Sequence, residues 1–184
     1  GPPNYAADRN GIALYDFASH QVLTHYITQM PLRVSSHRGL GAYANVFSIE
    51  SFMDELAHRA NADPLAYRLR HLKDPRARDA LTEVARVFGW STWQPKPGHG
   101  RGIAFARYKN IAAYCAVALE VKVNPSSGHV QVLRAVASAD AGQIVSPDGI
   151  KNQIEGGLVQ SLSWTLKEQV NFDAQRVQSS DWAS

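Results

Sequence analysis

Side chains that hold charge, protons or metals are where chemistry begins. The first such arrangement in this chain is Arg38-Gly39-Leu40-Gly41. An arginine guanidinium is a planar fork of charged donors, and adjacent glycines let the backbone come close to a bound group. The pattern suits an anionic or oxo group, and it equally suits an arginine that anchors a turn. Gly156-Gly157, inside an otherwise helical run, is the second. Each glycine there costs about 1 kcal/mol relative to alanine, which points to a close backbone contact with a neighbouring element or with a buried cofactor.

The remaining reactive residues read as structural. Seven histidines show neither an H-E-x-x-H nor an H-x3-H spacing, so no protein-ligated metal is expected. Gly98-His99-Gly100-Arg101-Gly102 precedes a strand and lacks the third glycine of a dinucleotide loop, so it reads as a hinge. No G-x-S-x-G elbow is present for a hydrolase triad. Glu50, Asp54 and Glu55 read as the solvated face of an amphipathic helix. Arg68, Arg70, Lys73, Arg76 and Arg78 alternate with Asp74 and Asp79 as a self-paired surface. The single cysteine, Cys115, lies in an apolar run as a small buried hydrophobe.

The elements that must position these residues are legible from period and punctuation. Residues 12–17 and 21–28 are rich in β-branched and aromatic types and predict two short strands. From Asn45 the period becomes helical, through Val46, Ile49, Met53, Leu56 and Ala60. Asp63-Pro64 and Asp74-Pro75 open two more helices, the second ended by Gly89. Strands follow over 102–108 and 112–123, then a turn at 124–128 and a return strand from His129. Ser146-Pro147 opens a long helix carrying Ile150, Ile154, Leu158, Leu162 and Leu166, and a last hairpin is expected at 169–172 and 176–179. The fold class is therefore α+β: a mixed or antiparallel sheet with a three-helix lobe and one long helix packed on the sheet. The divisions are 1–44 (N-terminal strands and arginine loop), 45–93 (helical lobe), 94–101 (linker) and 102–184 (hairpin, long helix and C-terminal strands).

Composition bounds the possibilities. With 184 residues, 45% hydrophobic and 19% charged, the chain can bury one sizeable core, which excludes disorder, collagen and small disulfide scaffolds. A net charge of +3 is spread along the chain instead of gathered in a block, so nucleic acid is not an expected partner. The sequence holds no run of about twenty apolar residues and no secretory leader pattern, which predicts a soluble chain without a targeting signal of its own.

The segment from Leu32 to Phe47, with Arg38-Gly39-Leu40-Gly41 at its centre, resembles the molybdopterin-binding large subunit of the xanthine dehydrogenase/aldehyde oxidase family. Glu50-Ser51-Phe52-Met53-Asp54-Glu55-Leu56-Ala57, Asp63-Pro64-Leu65-Ala66-Tyr67-Arg68, Glu120-Val121-Lys122-Val123, Asp140-Ala141-Gly142, Pro147-Asp148-Gly149, Gln153-Ile154-Glu155-Gly156-Gly157 and Ser163-Trp164-Thr165-Leu166-Lys167-Glu168 continue the likeness in order. The short path from the arginine loop to the Gly102 strand is similar to the bacterial branch of isoquinoline 1-oxidoreductase (its beta chain), nicotinate dehydrogenase and membrane-associated aldehyde dehydrogenase.

The resemblance implies a molybdenum–pterin cofactor in a longer parent protein and a small partner subunit with 2Fe-2S clusters. In some members electrons pass on to a cytochrome. The implied reaction is hydroxylation of an aromatic N-heterocycle, or oxidation of an aldehyde, with water as the oxygen source. Arg38 is then the catalytic donor beside the metal, with Gly39, Leu40 and Gly41 against the cofactor. His37 and Leu40 line the substrate pocket. Leu40 is aliphatic where xanthine oxidases carry an aromatic residue that sandwiches substrate, and His37 also departs from an aromatic. Gln153 and Glu155 match the family helix, with packing as their expected job. The family's general base, a glutamate in a Gly-x-Gly-Glu segment, has no counterpart here, nor have its glycine-rich and Gln-Gly cofactor loops. The expectation is a fragment that binds no molybdenum and is inactive alone, whose first partner is the rest of its own subunit. The parent is expected to be bacterial, with the compartment, cytoplasmic or periplasmic and membrane-associated, left open. The alternative from a different class is a non-catalytic protein-interaction domain that docks through its helical lobe.

Overall fold

In the computed structural model, residues 6–25, 27, 29, 30, 32, 37–179 and 181 are described. They fall into two units. The first comprises described residues of 6–25 and 37–142, and the second those of 27–32 and 143–181.

In the first unit, three helices precede a sheet: α1 (Gly41–Arg59), α2 (Pro64–His71) and α3 (Pro75–Phe88). Asp63 and Asp74 cap α2 and α3 as their spacing predicts. The Asp63 carboxylate accepts from the amides of Leu65 and Ala66, both at 3.0 Å. The Asp74 carboxylate accepts from Arg76 at 3.0 Å and Ala77 at 3.4 Å. Proline takes the first helical position of each, where its missing N–H costs nothing. Gly89 ends α3 in the left-handed conformation, at φ 74°.

Strands β1 (His99–Arg107), β2 (Tyr114–Val123) and β3 (Val130–Asp140) form an antiparallel meander in the order β1-β2-β3. Ala104 faces Val117 in one pair and Ala118 faces Val136 in the next, with an irregularity at Glu120/Val121. Alternation puts Ile103, Phe105, Tyr114, Ala116 and Ala118 on the buried face. The helix seated on that face is α3, which contributes Ala77, Leu81, Val84 and Phe88. The glycine-rich stretch expected to be a hinge enters β1 directly, and Arg101 is held there against the Trp90 ring, 3.8 Å from its centroid.

The expected strands at 12–17 and 21–28 do not form among the described residues; Tyr26 and Thr28 lie outside them. The cause is the nature of the partners available to this backbone. The Asp16 amide donates to the carbonyl of His71 at the end of α2, at 2.6 Å. The Ile12 carbonyl accepts from the Asn110 side chain at 2.8 Å. Single bonds to a helix end and to an amide side chain anchor an extended segment without building a ladder.

The long helix forms in the second unit as α4 (Pro147–Leu166), capped by the Ser146 hydroxyl, which accepts from the Gly149 amide at 3.2 Å. It keeps no residue buried. A Cβ on Gly156 would meet open space, so at this one of the two glycines no close backbone contact is made among the described residues. At the expected C-terminal hairpin the described residues form an antiparallel bridge, Phe172 to Val177.

Candidate functional site

Arg38 stands at the mouth of a tight turn. The Leu40 amide donates to the His37 carbonyl at 2.9 Å, closing residues 37–40. Gly39 takes φ +87°, and Leu40 takes φ 55°, ψ −135°, a conformation that costs an L residue about 1–3 kcal/mol. Helix α1 then begins at Gly41, four residues ahead of the periodic stripe that starts at Asn45. Both His37 and Arg38 are exposed, while Gly39, Leu40 and Gly41 are half-buried.

Three bonds fix the turn. The Gly41 amide donates to the Ala6 carbonyl at 3.2 Å, Ala42 to Gly39 at 3.1 Å and Tyr43 to Leu40 at 3.4 Å. One turn on, the Asn45 side-chain amide donates to the carbonyls of Ala7 at 2.8 Å and Arg9 at 2.9 Å. The backbone passes so close that a Cβ on Gly41 would lie 2.4 Å from both the Ala6 and the Ala7 oxygen. In this structure the glycine is needed for the crossing of residues 6–7.

These bonds bear on what the turn can hold. The α1 amides that a helix N-terminus usually offers to an anion are already donated within the turn and to Ala6. Arg38 itself is exposed, and the first turn of α1 carries no acidic residue. A guanidinium at this turn suits an anionic or oxo group in sign. Among the described residues no group of three His, Cys, Asp or Glu side chains could hold a metal ion.

Beneath α1 lies a buried ionic network that sequence reasoning missed. Arg68 has no exposed surface; its Nε donates to Glu50 Oε2 at 2.9 Å, one Nη to Asp54 at 2.6 Å and the other to the Glu50 carbonyl at 2.9 Å. The Tyr15 hydroxyl donates to Glu50 Oε1 at 2.8 Å, and the Phe105 amide donates to Oε2 at 3.1 Å. Burial pushes the Glu50 carboxyl above its ordinary value, against the pull of Arg68, Tyr15 and Phe105. Burial also raises the Tyr15 hydroxyl, with the Glu50 charge adding to it. Burial works against the Arg68 charge, and Glu50 and its other partners outweigh it. Glu50 and Arg68 are thus not on solvated faces. The clue lay in spacing: Ala42, Glu50, Met53 and Ala57 are the buried positions of α1, and Glu50 sits at the helical repeat of the other three.

The remaining expected residues lie in the second unit. Gln153, Glu155 and Gly156 are exposed on α4, with Lys151 and Glu155 3.9 Å apart along the helix. No helix among the described residues is long and apolar enough to cross a membrane.

Known proteins are similar to this sequence. Residues 37–183 match the molybdopterin cofactor-binding domain family. Over 192 aligned residues the chain is 39% identical to one of the subunits of nicotinate dehydrogenase from Pseudomonas putida, covering 95% of this chain and 16% of that protein. It is 38% identical over 136 residues to the beta chain of isoquinoline 1-oxidoreductase from Brevundimonas diminuta, covering 72% and 17% respectively. A membrane-bound aldehyde dehydrogenase of Gluconacetobacter polyoxogenes is 29% identical over 139 residues, covering 66% and 18%. The chain spans less than a fifth of each of these relatives. They represent the bacterial branch that the motif order indicated, and the family-model match begins at the arginine turn, at residue 37. By this likeness, which runs from the turn to the far end of the chain, the protein belongs to the molybdopterin cofactor-binding domain family.

Proposed function

We propose that the longer protein is a molybdenum-dependent oxidoreductase that hydroxylates an aromatic N-heterocycle or oxidises an aldehyde with water as the oxygen source. In it, this chain presents Arg38 to the reacting centre. The observation that carries the reading is the exposed Arg38 guanidinium on a strained turn whose amides are already committed. When bound, a molybdenum–pterin cofactor supplies the two-electron oxidation, and electrons pass to 2Fe-2S clusters of a small partner subunit, in some assemblies onward to a cytochrome. Arg38 binds and orients the oxygen on which negative charge develops. The backbone behind it is fixed by the Gly41 amide bond to Ala6, which limits where the guanidinium can be presented. Gly39, Leu40 and Gly41 form the face turned to the cofactor, and His37 with the aliphatic Leu40 borders the substrate.

The test is made on the full-length protein with a nicotinate-like heterocycle and with an aldehyde. Arg38→Ala lowers kcat by about 10²–10³, the cost of removing one donor to a developing oxyanion, at unchanged molybdenum content. Arg38→Lys restores part of the rate. Unchanged turnover in Arg38→Ala rejects the catalytic role. Stoichiometric molybdenum in metal analysis of the isolated 184-residue chain rejects the view that the cofactor depends on the rest of the subunit.

A further inference from the structure

The sheet of the first unit has two edges, and side chains of the same unit occupy one of them. On β1 the Phe105 amide donates to the Glu50 carboxylate at 3.1 Å, and the Arg107 carbonyl accepts from the Asn10 side chain at 2.8 Å. Strand β3 stands at the other edge.

The β1 bonds also decide which groups of β3 point outward. In an antiparallel pair each residue turns both its amide and its carbonyl either to its partner or away, in alternation. Phe105 bonds away from β2, so its partner Ala116 turns to β3, where it faces Ser138. Val123, an odd number of residues further along β2, donates instead to the Gly98 carbonyl beside β1, at 2.7 Å, as the same alternation requires. On β3, therefore, Arg134, Val136, Ser138 and Asp140 turn to β2, while Ala135, Ala137 and Ala139 turn their amides and carbonyls to the open edge. None of these outward groups is hydrogen-bonded among the described residues. They recur at every second residue over about 14 Å, the spacing at which a neighbouring strand presents its own donors and acceptors.

An exposed edge is ordinarily guarded by lysine, proline, a bulge or a charge. From Arg134 to Asp140 there is no lysine and no proline, and the irregular pairing lies before this stretch, at Leu133. Its two charged residues are drawn onto α3: Arg134 donates to the Val87 and Phe88 carbonyls, both at 2.9 Å, and Asp140 accepts from Arg76 at 2.7 and 2.6 Å. Alternation puts the three alanine methyls on the face away from α3, where they leave room for the larger side chains of a neighbouring strand.

We propose that a strand from the rest of the longer protein pairs with Ala135, Ala137 and Ala139 and extends this sheet beyond β3, with β-branched or aromatic side chains beside the alanines. The inference rests on the proposed reading that the chain is part of a larger subunit, and on nothing about that subunit's chemistry. The chain spans 16% of the nicotinate dehydrogenase relative and 17% of the isoquinoline 1-oxidoreductase relative, so a protein of their length has ample chain outside it to supply the strand. Backbone bonds hold such a strand, and its alternate side chains set the register.

The test is amide hydrogen exchange on the full-length protein, resolved residue by residue across 134–140. The amides of Ala135, Ala137 and Ala139 exchange about 100-fold or more slowly than in an unfolded chain, as do those of Val136 and Ser138, which bond β2. Ala137→Pro removes an outward donor and no bond to β2. In that variant protection falls about tenfold at Ala135 and Ala139 and in one segment outside the 184 residues, while Val136 and Ser138 stay protected. Should Val136 and Ser138 lose protection as well, the variant has unfolded β3 and the wild-type pattern decides. Fast exchange at the three alanines beside slow exchange at Val136 and Ser138 in the wild type overturns the proposal. A folded Ala137→Pro variant with no responding segment elsewhere overturns it too. Protection that disappears on dilution assigns the edge to a second copy of the protein and likewise overturns it. The measurement needs neither molybdenum nor turnover, so its failure is distinct from a failure of the Arg38 test.

Discussion

Arg68→Met deletes a buried charge while keeping an unbranched side chain in place. In the native chain Arg68 is fully buried and bonds both the carboxylate and the carbonyl of Glu50. Without it, Glu50 keeps the Tyr15 hydroxyl at 2.8 Å and the Phe105 amide at 3.1 Å, two neutral donors for a desolvated carboxylate. Breaking a buried pair from one side costs about 3–5 kcal/mol. The bond to Asp54 adds little, because that carboxylate is 48% exposed and rehydrates. The Glu50 carboxyl already lies above its ordinary 4.5, and losing Arg68 removes the largest of the causes that hold it down. A carboxyl raised by folding binds its proton more tightly in the folded state. Its contribution is therefore fully present below 4.5 and is lost as pH rises through the folded value. Urea unfolding followed by tryptophan fluorescence should show the variant about 3–5 kcal/mol less stable near pH 8 and visibly less handicapped near pH 5. Adding Glu50→Leu should recover only part of the loss, since it removes the stranded charge but leaves the Tyr15 hydroxyl and the Phe105 amide without their acceptor. A deficit under about 1 kcal/mol at both pH values, or one that does not change with pH, would refute the account.

Gly41→Ala places a methyl 2.4 Å from the carbonyl oxygens of Ala6 and Ala7, and backbone must move to admit it. Thermal unfolding should show a loss of about 1–3 kcal/mol, with faster proteolysis of the 6–12 segment as the sign that the crossing has opened. Ser146→Ala removes the cap of α4 and should cost about 1 kcal/mol of local stability, read by hydrogen exchange of the Gly149 amide. Asp140 is held down to about 2 by the Arg76 guanidinium and the Gly142 amide. A carboxyl lowered by folding stabilises above its unfolded value of 3.8 and ceases to as pH falls through about 2. The Tm difference between wild type and Asp140→Asn should then be present at neutral pH and vanish near pH 2.

Local chemistry was the part of the fold that the sequence made legible. Asp63-Pro64, Asp74-Pro75, Gly89 and Ser146-Pro147 each satisfy a helix end with their own atoms, so no distant residue is needed to place them. The alternation of Leu119, Val121 and Val123 with Glu120 and Lys122 likewise identifies a strand from one segment alone. Failure came where the partner is remote. The start of α1 depends on the Ala6 carbonyl, thirty-five positions away, which periodicity from Asn45 onward cannot register. Residues 12–17 have strand composition, yet their backbone finds a helix end and an asparagine side chain. Glu50 and Arg68 were assigned to solvent because charged residues usually belong there, although each falls on the buried face of its helix.

The arginine turn and the buried network are parts of one construction. Helix α1 carries both: its first turn is pinned by residues 6–9, and Glu50, in its middle, is pinned by Arg68 of α2 and by Phe105 of β1. Residues 6–9 are continuous with Asn10, which holds the turn after β1, and with Tyr15, which bonds Glu50. The helix is therefore tied to the sheet at two levels, by polar bonds that require particular partners and cannot slide as apolar contacts can. Such bonds add little net stability but exclude alternative registers, because a shift of α1 would strand a buried carboxylate. This explains how Leu40 is kept in a conformation that its side chain disfavours: relaxing it would move Gly41 away from Ala6 and carry the helix off its anchors. The backbone that carries Arg38 is set by Ala6, on the far side of Gly41, so under the proposed function Gly41→Ala should impair turnover in the full-length protein by displacing the turn, with the guanidinium itself unsubstituted.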